Sequence, residues 1–231
     1  MFVVCCKSTF TRQMEDALQT IVLASSKGGS TKSTLSAELA VAAERSGRGP
    51  VALIDLDPQR TTAKWCGRRV AETPVIAEAS IKRLKADIDG IRQHGIETLI
   101  IDTPGYTAVA MDTVIQAADL IVVPVRATID DLGAVADTLA PILSRRAPFV
   151  FVLVGATVNA RITDAAGREL AQYGIVAPVV IHHRLIVPAC RASGQSVSEI
   201  EPGSKAALEY ADLWAWLSAR MDANAPSKVA V

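Results

Sequence analysis

Short apolar runs recur along the chain from Thr20 onward, at positions 21–24, 51–54, 98–101, 120–124 and 149–154. Each is too short for an ordinary helix and rich in β-branched residues, which is how strands buried on both faces read. The segments between them follow a helical period instead. Leu35, Leu39 and Ala42 share a face after the first run; Ile81, Leu84, Ile88 and Ile91 precede the third; Leu132, Val135, Leu139 and Ile142 precede the fifth. This alternation predicts βαβ units with right-handed crossovers, and so an α/β fold: a mostly parallel, twisted sheet with helices on both faces. A weaker strand is expected over 176–181. A last helix is expected over 203–219, with Ala206, Ala207, Tyr210, Leu213, Trp214 and Leu217 on one broad face and Trp216 off it. Residues 1–18 lack the rhythm and are expected to form a poorly ordered extension. Residues 19–221 read as a single domain, and 222–231 as a flexible tail.

Composition narrows the picture. Half of the 231 residues are apolar, enough for a sizeable core, but only three Trp, three Tyr and four Phe are present. That core must be aliphatic, which favours parallel strands and helices over an aromatic-rich sandwich. The 24 basic and 24 acidic residues balance. A uniformly basic nucleic-acid binder is thereby excluded, whereas a local basic patch is not. The four cysteines, Cys5, Cys6, Cys66 and Cys190, form no C-x-x-C pair, and so few in so long a chain imply a reducing, cytoplasmic setting. The apolar opening stops at Lys7, too soon for a signal-peptide core, and no run approaches the ~18 residues that span a bilayer, so no membrane partner is expected. His182 and His183 are adjacent and so point differently, which reads as a polar strand end and not as a metal site.

Candidate chemistry begins after the first strand. Lys27-Gly28-Gly29-Ser30-Thr31-Lys32-Ser33-Thr34 joins that strand to a helix. A glycine-containing loop there can turn several backbone N–H groups toward an anion, and the helix N-terminus adds the positive end of its dipole. Lys32 would meet the β- and γ-phosphates of a nucleotide, and the Ser33 hydroxyl would ligate Mg²⁺. The strict pattern G-x-x-x-x-G-K-[ST] fails, because Ser26 and Thr31 occupy its two glycine positions. Two acidic segments complete the case. Leu53-Ile54-Asp55-Leu56-Asp57-Pro58-Gln59 ends the second strand, and Leu99-Ile100-Ile101-Asp102-Thr103-Pro104-Gly105 ends the third. In a parallel sheet these carboxyl ends lie side by side, where ligands bind, and acids beside a phosphate loop are what a Mg²⁺–nucleotide site needs.

With these three motifs in this order, the sequence resembles the ParA/MinD group of P-loop ATPases that carry a deviant Walker A motif. The run from Ala192 to Val197, followed by Pro202-Gly203-Ser204-Lys205-Ala206-Ala207, is similar to the corresponding part of ParA-type partition proteins. The resemblance implies a P-loop NTPase-like fold, ATP and Mg²⁺ as cofactors, and slow ATP hydrolysis. It implies that Lys27 reaches across a homodimer to the partner subunit's ATP, while Lys32 and Ser33 act in their own subunit. It assigns Asp57 to the attacking water, Asp102 to Mg²⁺ as the Walker B acid, and Asp55 to the neighbourhood of the metal. Residues Gly28, Gly29, Ser30, Thr31 and Thr34 complete the nucleotide loop, and the family's usual glycine is Thr31 here. The base is expected near 155–161 and 186–188, with Asn159 and Pro188 as candidates; Asn159 either hydrogen-bonds adenine or shapes the turn.

The same resemblance implies non-specific double-stranded DNA as a partner of the ATP-bound dimer and a ParB-like centromere-binding protein as the stimulator of hydrolysis. Between positions 141 and 198 six arginines face only Asp164 and Glu169. Arg161, Arg184 and Arg191, with Lys205, are the candidates for phosphate contacts. The chain therefore reads as a DNA partition ATPase, associated with nucleoid or plasmid. The alternatives are a relative that positions other cargo or conjugation machinery, and a nucleotide-binding scaffold whose Thr31 impairs hydrolysis.

Overall fold

The computed structural model describes residues 18–27, 31–104 and 108–224. Gly28, Gly29, Ser30, Gly105, residues 1–17 of the extension expected over 1–18, and the stretch 225–231 lie outside the described residues. Seven strands form one sheet: β1 (Gln19–Leu23), β2 (Val51–Asp55), β3 (Val75–Ala77), β4 (Thr98–Asp102), β5 (Leu120–Val125), β6 (Phe149–Ala156) and β7 (Ile181–His182). Their order is β3-β2-β4-β1-β5-β6-β7, every pair parallel. The ten α-helices described are α1 (Lys32–Arg45), α2 (Thr61–Cys66), α3 (Leu84–Gln93), α4 (Ala108–Gln116), α5 (Ile129–Gly133), α6 (Val135–Ser144), α7 (Arg161–Leu170), α8 (Ile186–Ala192), α9 (Val197–Ile200) and α10 (Lys205–Asn224).

Helices cover both faces of the sheet, which is why the strands read as continuous apolar runs without alternation. Ile21 and Leu23 of β1 point into one layer with Leu35, Leu39, Trp65, Leu213 and Trp214. Val22 and Ala24 point into the other with Leu84, Ile88, Met111, Leu139 and Ala166. The central strand β1 pairs with β4 on one side and β5 on the other. Winding reverses there, which leaves a crevice at the carboxyl ends of the strands. Register sharpens the point: Leu23 of β1 and Asp55 of β2 are both partners of Asp102 in β4. The three strand ends thus stand in one row.

The expected face of the last helix is buried as predicted, Trp214 at its centre. That helix runs on to Asn224, however, so the expected tail is ordered at least through 222–224. Asp222 accepts a hydrogen bond from Gln19 Nε2 at 2.9 Å and pairs with Arg48, which ties the helix end to the start of β1. Leu18 is also buried in the core and belongs to the domain. The helix expected around 132–142 is split at Ala134 into α5 and α6. Ile81 stands in a separate 3₁₀ turn, and only Leu84 and Ile88 of its quartet are buried. The strand expected over 176–181 is broken: Val176 makes an isolated bridge to Phe151, and regular pairing returns only at Ile181. Pro178 lies between them and has no N–H to continue the ladder.

Candidate functional site

Asp102 is fully buried at the end of β4. Its Oδ2 accepts a 2.6 Å hydrogen bond from the Thr62 hydroxyl, and the Ser33 hydroxyl donates to the same carboxylate. Burial pushes its pKa up to about 6; the Ser33 and Thr62 hydrogen bonds oppose this and Asp55 adds to it. Its Oδ1 is buried with no hydrogen-bond partner among the described residues. An oxygen in that condition, beside a serine hydroxyl, suits water held by a hard cation, and the donor set of Ser33 and Asp102 fits Mg²⁺. Asp55 is differently employed. Its Oδ1 accepts from Asp57 N at 3.0 Å and its Oδ2 from Ala63 N at 2.9 Å, so it folds the β2–α2 loop around itself. Asp57 follows as a half-buried carboxylate whose Oδ1 accepts from Gln59 N at 2.8 Å.

Lys32 opens α1 and is itself buried, its Nζ 3.4 Å from Ser25 O and 3.5 Å from Lys27 O. Burial pulls its pKa below the usual lysine range, and Asp102 and Asp57 pull it back up. The motif's two departures from glycine have distinct outcomes. Ser26 is a tether: its backbone N–H donates to Thr138 Oγ1 at 3.0 Å and its hydroxyl to Ala134 O at 2.9 Å, anchoring the loop to α6. Thr31 takes φ 63° and ψ 13°, the left-handed conformation that glycine adopts without cost. A β-branched residue there stores about 1–2 kcal/mol of strain.

Lys27 is held within its own chain. Its Nζ lies 3.1 Å from Asp131 Oδ1 and 3.4 Å from Asp130 Oδ2. Asp131 also takes both arms of Arg126, at 2.6 and 3.0 Å. Burial would raise the Asp131 pKa, but Arg126 and Lys27 hold it at about 2. Neither this clamp nor Thr62 was marked by sequence. Thr62 sits in a six-residue helix too short to show a period, and the clamp joins residues about a hundred positions apart.

A cavity of about 480 Å³ opens beside the loop. Thr31 and Thr34 line its near end; Val154, Gly155, Ile181, Val187 and Pro188 give it an apolar wall suited to a nucleobase. Pro188 is thus part of the cavity wall. Asn159 does not line the cavity; it is exposed with φ 59°, so it shapes the turn between β6 and α7. The basic candidates divide. Arg161 and Lys205 are exposed. Arg184 is ion-paired with Glu209, which also accepts from His182 Nδ1 at 2.9 Å. Arg191 is only 9% exposed and packs over the Trp65 ring, so it offers no charge to a surface ligand.

Behind the cavity Glu38 of α1 is 1% exposed, and its Oε2 accepts from Val197 N at 3.1 Å. Burial pushes its pKa up to about 7; the Val197 N–H, Arg191 and Arg69 oppose this and Glu199 adds to it. A carboxyl raised on folding binds more protons folded than unfolded, so stability falls as pH rises from about 4.5 to about 7. Glu38→Gln is therefore expected to stabilise the chain at pH 8, by up to about 3 kcal/mol, with the gain vanishing near pH 4.5. Thermal melts of both proteins from pH 4.5 to 8 check it, and a pH-independent difference would refute it.

A family model described as the CobQ/CobB/MinD/ParA nucleotide binding domain matches residues 21–197. The chain is 30% identical to "Protein ParA" of Rhizobium radiobacter over 108 residues, 46% of this chain and 48% of that one. It is also 30% identical to "Maintenance of carboxysome distribution protein A" of Gloeobacter kilaueensis over 122 residues, 52% of this chain and 54% of that one. The chain thus spans about half the length of the curated relatives it matches. The fold superimposes on the septum site-determining protein MinD of Pyrococcus horikoshii, solved with Mg-ADP, with a TM-score of 0.69 at 16% identity over 90% of this chain and 99% of that one.

Proposed function

The chain belongs to the CobQ/CobB/MinD/ParA nucleotide-binding family, and from that premise we propose that it is a DNA partition ATPase. It binds Mg-ATP, forms a homodimer with two ATP molecules sandwiched between protomers, binds non-specific double-stranded DNA in that state and hydrolyses ATP slowly. A ParB-like centromere-binding protein stimulates the hydrolysis. One observation carries the proposal: a single row of strand ends gathers Lys32, Ser33, Asp57 and Asp102 around one point, beside a cavity with an apolar wall. Similarity to a ParA protein supports the partition role.

In this scheme Lys32 and the loop hold the terminal phosphates, and Asp57 orients the attacking water. Ser33 and Asp102 would hold Mg²⁺, and its charge would offset what develops on the phosphates. Catalysis is then mostly positioning and charge stabilisation. Lys27 must leave Asp130 and Asp131 before it can reach the nucleotide of a partner subunit. Among the described residues no helix is long and apolar enough to cross a membrane. Arg161 and Lys205 remain the exposed candidates for DNA phosphates.

The test is ATP turnover with and without duplex DNA, with sedimentation to detect the ATP-dependent dimer. DNA binding should require ATP and fall steeply with salt, about tenfold per doubling if three to four phosphates are contacted. An ATP-bound protein that ignores duplex DNA at low salt would remove DNA from the scheme. The strained Thr31 favours a second reading, a nucleotide-dependent scaffold that binds ATP without turning it over, which undetectable turnover under every condition would select. Similarity to a carboxysome distribution protein supports cargo positioning as the variant of the first.

A further inference from the structure

The cavity beside the nucleotide loop is more basic than its base-binding wall requires. Arg68, Arg184 and Arg191 all line it, and none of its lining residues is acidic. Arg184 is neutralised by Glu209. Arg191 is not: no ion pair meets it among the described residues, and its Nη1 is buried without a hydrogen-bond partner among them. The nearby Glu38 spends one oxygen on Val197 N and stands beyond ion-pair distance. Contact with the Trp65 face, 5.7 Å from the guanidinium carbon to the ring centroid, holds the group in place without using its N–H donors in the ring plane. A buried guanidinium with an idle donor is costly unless something arrives to use it.

Position in the fold says what arrives. Arg191 lies one helical turn beyond Val187 on the same face of α8, so it follows directly on the apolar wall. It shares the cavity with Thr34 in the first turn of α1. Arg68, exposed at the end of α2, donates from Nη2 to Arg191 O at 3.2 Å and lines the same space. Gly194 lets the two segments approach: a Cβ there would stand 2.5 Å from the Arg68 carbonyl carbon. An anion in this position would share the cavity with the base-binding wall and with Thr34, two residues on from the lysine proposed to take the terminal phosphates.

We infer that Arg191, assisted by Arg68, binds the phosphate nearest the nucleoside, as a second cationic anchor beside Lys32. The inference rests on the nucleotide reading above and gives Arg191 a role inside the pocket in place of the surface role expected from sequence. It makes the pocket select a nucleotide over a nucleoside through a residue outside the phosphate loop.

The full-length chain and its variants, titrated calorimetrically with ATP, ADP, AMP and adenosine, test it. Arg191→Met is expected to weaken ATP, ADP and AMP alike by about tenfold or more and to leave adenosine unchanged. Arg191→Lys should recover part of the loss. Arg68→Gln, at an exposed position that does not endanger folding, should show the same order of ligands with a smaller loss, about threefold. Lys32→Ala is the contrast, losing ATP and ADP far more than AMP. Equal losses for AMP and adenosine, or unchanged ATP affinity in folded Arg191 and Arg68 variants, would overturn the assignment while leaving the ATP reading intact. A wild-type chain that binds no nucleotide at all would instead overturn both.

Discussion

Replacing Lys32 with alanine is expected to lower ATP affinity roughly a hundredfold or more, corresponding to about 3 kcal/mol for a buried, charge-assisted contact. The lysine is buried against two backbone carbonyls at 3.4 and 3.5 Å, weak partners for an ammonium group. Burial already disfavours its charge, and Asp102 and Asp57 only partly restore it. Phosphate oxygens would set negative charge directly against this buried ammonium, so the binding energy concentrates on this one group. The alanine variant should keep its circular dichroism spectrum, because the surrounding strands and the rest of α1 are packed by apolar residues. Calorimetric titration with Mg-ATP reads the effect, and a folded variant with wild-type affinity would remove Lys32 from the site.

Asp57→Asn separates binding from turnover. Asparagine can still accept the hydrogen bond that Asp57 Oδ1 takes from Gln59 N, so the loop should keep its shape. What disappears is the charge that the proposed scheme assigns to orienting a water. Turnover is expected to drop about a hundredfold or more, the usual contribution of a positioned base, while ATP affinity changes by less than about threefold. Under the same scheme the ATP-dependent dimer should persist longer in sedimentation than that of the unmodified protein. Phosphate release at saturating ATP is the measurement, and an unimpaired rate would shift the role of water orientation to another group.

The five apolar runs became β1, β2, β4, β5 and β6 because each is buried on both faces, a condition that composition alone betrays. The nearness of Lys32 and Ser33 to Asp102 was equally legible, since a row of parallel strand ends makes it a matter of topology. Other features depend on contacts that no local pattern encodes. The edge strand β3 is three residues long, and Pro178 cuts the pairing that an apolar run suggested. Thr62 acquires meaning only when α2 brings its hydroxyl to Asp102. Arg191 read as surface charge because arginine usually is; its burial comes from α8 folding back onto Trp65. Asn159 could be read two ways until its backbone conformation placed it in a turn. Asp55 is the register partner of Asp102, and its two oxygens in addition organise the loop that presents Asp57, which no local pattern encodes.

The bond between Gln19 and Asp222 brings two distant points of the chain together at the amino ends of the strands, across the sheet from the nucleotide edge. A fluorophore or affinity label placed beside either residue would hang on the side remote from ATP, leaving the catalytic edge unobstructed. The same proximity lets a short peptide splice the two points, so that the domain can be reopened at another loop with its sheet order unchanged.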